Sequence, residues 1–491
     1  MRYVLRDYQI RAIEGARERI RAGSRACLIV APTGSGKTVI ACSIVESSMM
    51  KGRKTLFLAH RKELIEQCSA KLDEIGVWHG IIKAGNKRVH PGALVQVASV
   101  QTLTRRMGQA AGYDLIIVDE AHHASADTYG RVLDANLDAK ILGLTATPYR
   151  ADGKGLGEIF QSYIEVATVE DLVRKGYLVP QRVFCGRRVN LGNVKVTAGD
   201  YNLGQLSEAM NQPKLVGDII KAWKIHASDR QTVCFTVTVA HSMVIRDAFL
   251  AAGVSAEHLD GETPEDERTA ILARFRAGFT RIVCNCAVLT EGWDCPEASC
   301  LILARPTKSR CLWRQMAGRV LRPLPGKADC LILDHGNCTD THGFLTDPDQ
   351  ISLHGKSGGE RAAPKRACKS CGARFAGRPP FCPQCGISLE SEGKRLDEEL
   401  HPLGDDSFEM VEVSTRKAPP PPAVAERLYL TDLEFAKEHG YAPAWAGIRH
   451  KARTGQWPTK EMTKKSRYAT KFAMGPDGKW HLVFDKERMM A

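Results

Sequence analysis

A phosphate-binding pattern near the start of this chain constrains its fold most strongly. Residues 31–38 read APTGSGKT and follow the apolar run Cys27-Leu28-Ile29-Val30, and helix-like sequence begins near Val39. In a loop between a strand and a helix, glycines let backbone N–H groups approach phosphate oxygens, and the helix N-terminus adds a favourable dipole. The residues expected to bind nucleotide phosphates are Thr33, Gly34, Ser35, Gly36, Lys37 and Thr38. Lys37 would reach the β- and γ-phosphates, and the Thr38 hydroxyl would ligate Mg²⁺.

An acidic pair follows a second apolar run. Residues 119–122 read DEAH and come directly after Leu115-Ile116-Ile117-Val118. We expect Asp119 to hold the Mg²⁺ shell together with Thr38, and Glu120 to orient the attacking water. The loop and the acidic pair, each at the end of a buried-strand pattern, together predict an enzyme that hydrolyses ATP with Mg²⁺.

Length and charge limit the remaining possibilities. A chain of 491 residues is long enough for three or more domains, at roughly 100–200 residues each. A formal charge of +13 favours a polyanionic partner, although a generally basic surface gives the same number. No N-terminal signal or membrane-length apolar run is visible, so we expect a cytoplasmic protein with reduced thiols and no membrane partner.

Apolar runs and composition predict five regions. Runs alternating with helix-like stretches indicate two doubly wound parallel α/β domains, residues 1–180 and 181–353. A cysteine-rich module at 364–390, an acidic and proline-rich linker at 391–425 and a basic module at 426–491 follow.

Further motifs give the two α/β domains a family likeness. Thr145-Ala146-Thr147 and the DEAH run in the first domain, with Gln315-Met316-Ala317-Gly318-Arg319-Val320-Leu321-Arg322 in the second, resemble superfamily 2 DEAH-type helicases. The resemblance implies two tandem RecA-like domains with ATP between them. It implies that Arg6 and Gln9, in Leu5-Arg6-Asp7-Tyr8-Gln9, contact the adenine base, and that Gly292 and Asp294 of the fifth motif also contact the nucleotide. Gln315, Arg319 and Arg322 would act in hydrolysis, with Arg322 as the first choice for the arginine finger.

Other segments resemble the nucleic-acid contacts of the same family. These are Ala59 to Leu64, Ser99 to Thr102, and the start of the fifth motif. The implied contact residues are His60, Arg61, Ser99, Gln101, Thr102 and Thr290. Contacts of this kind position a strand through its sugar-phosphate backbone without reading its sequence.

Two CxxC pairs predict a metal site. Cys368, Cys371, Cys382 and Cys385 have the spacing of a tetrahedral four-thiolate zinc ribbon. Four thiolates leave no open position, so the Zn²⁺ would be structural; a redox or disulfide pair is the alternative.

The C-terminal module carries basic and aromatic residues. Residues 449–471 hold eight Lys or Arg residues and one acid, Glu461, with Trp445 and Trp457 nearby. We expect a small, mainly helical module, in which these residues either track nucleic acid or combine a Trp core with a basic face.

Motif order and the cysteine element also resemble bacterial RadD-type DNA repair helicases and their phage relatives. This likeness implies a DNA helicase or translocase in repair, recombination or phage DNA metabolism, acting on single-stranded, duplex or branched DNA, with a single-strand-binding protein as a partner. An RNA-directed motor, the motor subunit of a restriction-type complex, and a non-catalytic nucleic-acid-binding scaffold stay open as alternatives.

Overall fold

The fold is taken from a computed structural model of the whole chain. It describes residues 4–354 except 125, 151–153, 187–188, 198 and 348–350, and beyond them the short stretches 366–367, 374–375, 410–413, 429, 433, 458–459, 471–474 and 480–483. Contacts divide the chain into two units. One comprises residues 1–360 with 406–410, and the other 361–405 with 411–491.

The first unit begins with a seven-stranded, all-parallel sheet, here called domain 1. Its strands run in the order β3-β4-β2-β5-β6-β1-β7. The strands are β1 (Ala26–Val30), β2 (Thr55–Ala59), β3 (His79–Ile82), β4 (Val95–Ser99), β5 (Leu115–Val118), β6 (Lys140–Thr145) and β7 (Ser162–Glu165). The helices are α1 (Asp7–Arg21), α2 (Lys37–Met49), α3 (Lys62–Glu74), α4 (Val100–Leu103), α5 (Ala126–Asp134) and α6 (Val169–Arg174).

Burial on both faces explains the continuous apolar runs of this sheet. Strands β1, β2, β4 and β5 are buried throughout, and their side chains pack under the flanking helices. Parallel strands end at the same edge of a sheet, so the loops after β1 and β5 meet, with β6 between them.

A second parallel sheet, here called domain 2, follows in the same unit. Six of its strands, all in this unit, run in the order β12-β13-β11-β14-β15-β8. They are β8 (Gln181–Cys185), β11 (Thr232–Phe235), β12 (Ala256–Leu259), β13 (Ile282–Asn285), β14 (Cys300–Leu303) and β15 (Cys330–Asp334), and a small hairpin joins β9 (Val196–Thr197) to β10 (Asp200–Tyr201). The helices are α7 (Leu203–Met210), α8 (Pro213–His226), α9 (Val239–Ala251), α10 (Glu265–Arg276), α11 (Arg310–Ala317) and α12 (Cys338–His342). The two sheets confirm the predicted α/β class.

After domain 2 the chain returns to domain 1. Arg314 donates a hydrogen bond to the Asp347 carbonyl at 3.1 Å, still within domain 2. Farther on, Gly157 N donates to the Leu353 carbonyl at 2.7 Å, and Ile351 and Leu353 pack against the core of domain 1. Residues 351–354, here called the strap, thus belong by packing to domain 1, although they lie in the sequence range predicted for domain 2.

The second unit is described only in short strands. They are β16 (Arg366–Ala367), β17 (Arg374–Phe375), β18 (Val411–Val413), β19 (Lys471–Met474) and β20 (Trp480–Val483), and β16–β17 and β19–β20 form antiparallel pairs. The four CxxC cysteines, together with Trp445 and Trp457 and most of the module predicted to be mainly helical, lie outside the described residues. In the part of the chain that is described, no helix has the length and apolarity that crossing a membrane requires.

Candidate active site

The phosphate loop joins β1 to α2 and depends on two glycines. Gly34 and Gly36 have φ values of 83° and 81°, in the left-handed region that favours glycine. A Cβ atom on Gly36 would lie 2.6 Å from the side-chain nitrogen of Gln9. The Ser35 side chain is fully buried, and its hydroxyl has no hydrogen-bond partner among the described residues. The loop therefore has the backbone shape and a spare polar atom that a phosphate ligand needs.

The acidic pair lies beside the lysine of this loop. Glu120 follows β5 with a φ of 46°, and its Oε1 atom lies 3.6 Å from Lys37 Nζ. Burial, together with the charge of Glu120, raises the pKa of Asp119 to about 7. Burial alone would also raise the pKa of Glu120, but the nearby positive groups, Lys37 foremost, together outweigh burial and hold that pKa below its usual value. Glu120 is thus a carboxylate, and Asp119 is a carboxyl group that a bound cation would help to ionise.

These residues fit a magnesium–nucleotide complex. Glu120 Oε2 is buried without a hydrogen bond among the described residues, which leaves an acceptor for a water molecule. Lys37, which begins α2, supplies the cation for a phosphate, and Thr38 and Asp119 supply oxygen ligands of the kind Mg²⁺ prefers. When bound, Mg²⁺ would neutralise part of the phosphate charge.

The predicted base-contacting segment lies against the phosphate loop. Tyr8 OH and Gln9 Nε2 both donate to the Ser35 carbonyl, at 2.8 and 3.1 Å. Gln9 Oε1 accepts from Arg6 N at 3.0 Å, so both ends of the Gln9 amide are already bonded within the chain. The Arg6 guanidinium lies 4.2 Å from the ring centroid of Tyr177. The sequence prediction missed Tyr177, because a lone tyrosine in a linker carries no motif.

Helix α11 of domain 2 ends against the phosphate loop. A Cβ atom on Gly318 would lie 2.6 Å from Cβ of Thr33, and one on Gly34 would lie 3.8 Å from Cγ of Arg322. The absence of a side chain at Gly318 is therefore what permits this close approach of the two domains.

Both predicted finger arginines are held by the fifth motif. Arg319 is buried and donates to the Trp293 carbonyl at 2.7 Å; Arg322 donates to the same carbonyl at 3.2 Å and forms an ion pair with Asp294. Burial, reinforced by the charge of Arg322, lowers the pKa of Arg319 to about 10. The Trp293 ring packs on Phe275, which gives a physical reason for tryptophan at this position. Asp294, predicted to contact nucleotide, is in this structure the partner of Arg322.

A buried carboxylate of domain 2 gathers residues from both domains. Glu291 Oε2 accepts a hydrogen bond from His60 Nε2 at 2.9 Å and forms an ion pair with Arg61, whose Nε lies 2.8 Å away. Glu291 Oε1 accepts from His123 Nε2 at 2.9 Å and from Gln315 Nε2 at 2.7 Å. Burial would raise the pKa of Glu291, but these hydrogen bonds and the Arg61 charge hold it well below its usual value. We call these five residues the Glu291 cluster. The fifth motif contains Glu291, yet the sequence prediction assigned it no role.

The cluster continues to the acidic pair through His122. Gln315 Nε2 lies 3.2 Å from His122 Nε2, and His122 Nδ1 lies 3.0 Å from Thr145 Oγ1 and 3.3 Å from Glu120 Oε2. Burial lowers the pKa of His122 to about 4, so this ring is neutral at physiological pH. A second contact between the domains joins Thr147 Oγ1 to Cys311 Sγ at 3.1 Å.

Two of the predicted nucleic-acid segments meet at the carboxyl edge of the first sheet. Ser99 caps α4 by accepting from Thr102 N at 3.4 Å and donates to Gln101 Oε1 at 2.8 Å. Gln101 Nε2 donates to the His60 carbonyl at 3.0 Å. Thr290, from domain 2, is buried and donates to the Ala287 carbonyl at 2.7 Å, so its hydroxyl is satisfied within the chain.

One group of side chains within the described residues has metal-ligand spacing. The donor atoms of His60, His123 and Glu291 lie within 4.8 Å of one another. Arg61 shares the same carboxylate, and its positive charge opposes a dication there. We therefore interpret this group as a hydrogen-bonded cluster between the domains.

Comparison with known proteins identifies the family. Residues 2–150 match the family described as "Type III restriction enzyme, res subunit", and residues 212–323 match "Helicase conserved C-terminal domain". A 51.5 kDa protein of a Lactococcus phage is 30% identical over 401 residues, which cover 79% of this chain and 85% of that protein. The chain belongs to the superfamily 2 helicases. The prediction of a helicase-type ATPase is thus confirmed at the level of the family.

Other superfamily 2 relatives differ in length. The putative ATP-dependent helicase IRC3 of Saccharomyces cerevisiae is 33% identical over 360 residues, 67% of this chain and 51% of that protein. A putative mitochondrial ATP-dependent helicase of Schizosaccharomyces pombe is 33% identical over 376 residues, 71% of this chain and 59% of that protein. This helicase chain therefore spans little more than half the length of these two relatives.

Solved structures agree on the fold. A fragment of a putative HsdR subunit of a type I restriction enzyme from Vibrio vulnificus superimposes with a TM-score of 0.56 at 23% identity, covering 70% of this chain and 67% of that chain. At that identity the likeness shows the fold alone, two RecA-like domains.

Proposed function

We propose that this protein is a DNA-stimulated ATPase that moves along DNA, with ATP hydrolysed between domains 1 and 2. The observation that carries the proposal is the contact of Gly318 with Thr33, since it brings the arginine-bearing end of α11 to the phosphate loop. Lys37 and Glu120 then lie on one side of a single cleft, and Arg319 and Arg322 on the other.

In this proposal each residue has a role set by its position. Glu120, with a free carboxylate oxygen, orients a water molecule for attack on the γ-phosphorus and accepts its proton as the bond to the β-phosphate oxygen breaks. Lys37 and one arginine stabilise the negative charge on the transferring group. Arg322 is the better candidate, because its side chain is partly exposed and leaves the Asp294 pair without uncovering a buried charge, whereas Arg319 is buried on backbone carbonyls.

Translocation requires that strand contacts change with the nucleotide. Binding of ATP favours the closed cleft and hydrolysis releases it, so strand contacts on the two domains would separate and rejoin in each cycle. His60, Arg61, Ser99, Gln101 and Thr102 would supply contacts from domain 1.

DNA is the favoured polymer. One relative is named a "DNA 3'-5' translocase" of Sulfurisphaera tokodaii (27% identical over 363 residues), and the restriction enzyme LlaBIII, which has a similar fold, was solved bound to DNA. The net charge of +13 suits either DNA or RNA. The phage relative and the motif order support a role in phage DNA metabolism, repair or recombination, in the cytoplasm of a bacterium or an infected cell, with a single-strand-binding protein as a partner.

The CxxC cysteines would form a structural zinc ribbon. The paired strands β16 and β17 lie on either side of Cys368 and Cys371 in the sequence, which suits one half of such a site. Cys382 and Cys385 would supply the other two thiolates. The basic module at 426–491 would add strand contacts, because its lysines and arginines are interleaved with aromatic residues.

A parallel ATPase assay tests the proposal. Turnover would be measured with single-stranded, duplex and branched DNA and with RNA, and the Lys37→Ala and Glu120→Gln variants should lose it. The matched control is Lys51→Ala, an exposed lysine just beyond α2, which should behave like the parent. Unchanged hydrolysis in both site variants would disprove the assignment, and stimulation by RNA alone would replace DNA with RNA.

A restriction-type motor subunit is the second candidate. The match of residues 2–150 to a restriction subunit family favours it. The EcoKI endonuclease subunit of Escherichia coli is 26% identical over 425 residues, and this chain spans only 35% of it. Stimulation by DNA of any sequence, without added subunits, would favour the independent motor.

A further inference from the structure

The two oxygens of the Glu291 carboxylate serve different parts of the molecule. Oε2 bonds His60 and Arg61, which begin the segment after β2. Oε1 bonds His123 and Gln315. The side chain is only 3% exposed, so these partners hold it in one position. One oxygen thus faces the proposed strand-contacting segment, and the other faces the residues that lead to the catalytic carboxylates.

Hydrogen bonds lead from Oε1 through Gln315 to His122, whose ring lies beside Glu120. Gln315 Nε2 donates one hydrogen to Glu291, and its other hydrogen points to His122 Nε2 at 3.2 Å. His122 Nε2 then acts as the acceptor, which places the ring proton on Nδ1, facing Thr145 Oγ1 and Glu120 Oε2. A change at Oε1 would therefore alter the direction of a hydrogen bond beside the water-orienting carboxylate.

Solvent reaches both partners of Oε2, whereas Gln315, the partner of Oε1 that leads to His122, is buried. His123, the other partner of Oε1, is also partly exposed. The side chain of Arg61 is 34% exposed and that of His60 is 15% exposed. A phosphate diester presents the same kind of paired oxygens to a guanidinium as a carboxylate does. An arriving strand can therefore take Arg61 from Glu291, and the carboxylate, no longer held on that side, would shift against His123 and Gln315.

We propose that Glu291 is a positioning residue whose carboxylate pairs with Arg61 and His60 when no strand is bound. A backbone phosphate then takes the place of this carboxylate, and through that exchange the binding of a strand affects Glu120. The inference rests on the proposed nucleic-acid-stimulated ATPase. Glu291 touches neither strand nor nucleotide in this scheme. Arg61 can pair with Glu291 or with a backbone phosphate, but not with both at once. Glu291 therefore makes hydrolysis depend on the presence of a strand.

The test is Glu291→Gln, which keeps the side-chain volume and removes the charge. Binding of single-stranded DNA should become tighter, by about two- to five-fold, since an ion pair of this exposure no longer competes. The ratio of stimulated to basal turnover should fall at least about five-fold, the lower end of usual coupling between sites.

Tighter binding with weaker stimulation separates this role from a structural one. A variant that was only damaged would bind more weakly and turn over more slowly. The matched control is Glu265→Gln, which removes another pair between the domains, Lys62 Nζ to Glu265 Oε2 at 2.7 Å, from a side chain 64% exposed. Glu265 has no path to Glu120, so its stimulation ratio should equal that of the parent.

A double-mutant cycle protects the test against misfolding. Arg61→Gln changes a partly exposed side chain and should lower affinity for the strand. In the pair Glu291→Gln with Arg61→Gln, the gain in affinity from Glu291→Gln should vanish. Additive effects, or a stimulation ratio equal to that of the parent in Glu291→Gln, would overturn the inference. A parent protein that no nucleic acid stimulates would instead overturn the proposed function.

Discussion

The contact between Gly318 and the phosphate loop gives a prediction whose size follows from the structure. In Gly318→Ala, the new methyl group would lie 2.6 Å from Thr33 Cβ and 2.8 Å from Thr33 Cγ2. Ordinary carbon–carbon contacts are about 3.5–4.0 Å, so α11 and the loop would have to separate by roughly 1 Å. Gly318 has helical backbone angles, φ −64° and ψ −16°, so alanine is compatible with its conformation. The backbone angles of Gly318 therefore do not oppose the substitution, and the clash with Thr33 displaces the arginines from the phosphates.

A displacement of about 1 Å between reacting groups can cost on the order of 100-fold in rate. We expect kcat of Gly318→Ala to fall by about that factor, with binding of ATP by domain 1 less affected. The methyl would also lie 2.9 Å from the Arg314 carbonyl, within domain 2, so thermal unfolding must be measured beside turnover.

Gly217→Ala is the matched control for this variant. It lies on the exposed side of α8, with nothing within 4 Å of the added methyl, and should keep its rate and gain up to about 1 kcal/mol of stability. A Gly318→Ala protein of unchanged stability that hydrolyses ATP within about two-fold of the parent would refute the reasoning.

Three further predictions concern charge and metal. Because burial raises the pKa of Asp119 from 3.8 to about 7, ionising it costs stability, and the cost grows as the pH rises from about 4 to 7. Without Mg²⁺, Asp119→Asn should therefore raise the free energy of unfolding by about 1–4 kcal/mol at pH 8 and by much less at pH 5. Denaturant titrations that show an equal gain at both pH values would contradict this. Arg322→Lys should lower kcat by about 10³-fold or more if Arg322 is the finger, and a change confined to KM in steady-state assays would exclude it. Cys371→Ser should lower the zinc content measured by elemental analysis, and full occupancy would disprove the ligand set.

The predictable part of the fold is the part buried on both faces. Strands such as β1 and β5 are fully buried, so their apolar runs are continuous and stand out in the sequence. Strand β7 lies at the sheet edge with alternating partial exposure, and β3 contains a histidine that is fully buried because Ser69 and a carbonyl satisfy both ring nitrogens. Neither has an apolar run, so both were missed.

The site divides in the same way. Lys37 and Glu120 could be predicted because each belongs to a short motif of adjacent residues that follows a buried strand. Glu291 could not, because its role comes from His60 and His123, which are 231 and 168 residues away in sequence. The sequence alone gives the type of each residue, but it does not show which distant residues contact one another across the cleft between the domains.

The strap limits how far the motor can open. The two RecA-like domains are joined twice, once by the linker before β8 and once where the chain passes from Asp347 to Ile351. A single connection leaves two bodies free to twist as well as separate, whereas two connections leave mainly rotation about the line between them. The four residue steps from Asp347 to Ile351 extend at most about 13–14 Å. While Leu353 stays hydrogen-bonded to Gly157, the two domains cannot separate farther than this at that edge of the cleft. In the proposed translocase, chain length thereby limits the domain movement available per ATP. Lengthening this segment with glycine and serine would loosen the coupling of hydrolysis to movement while leaving the chemistry intact.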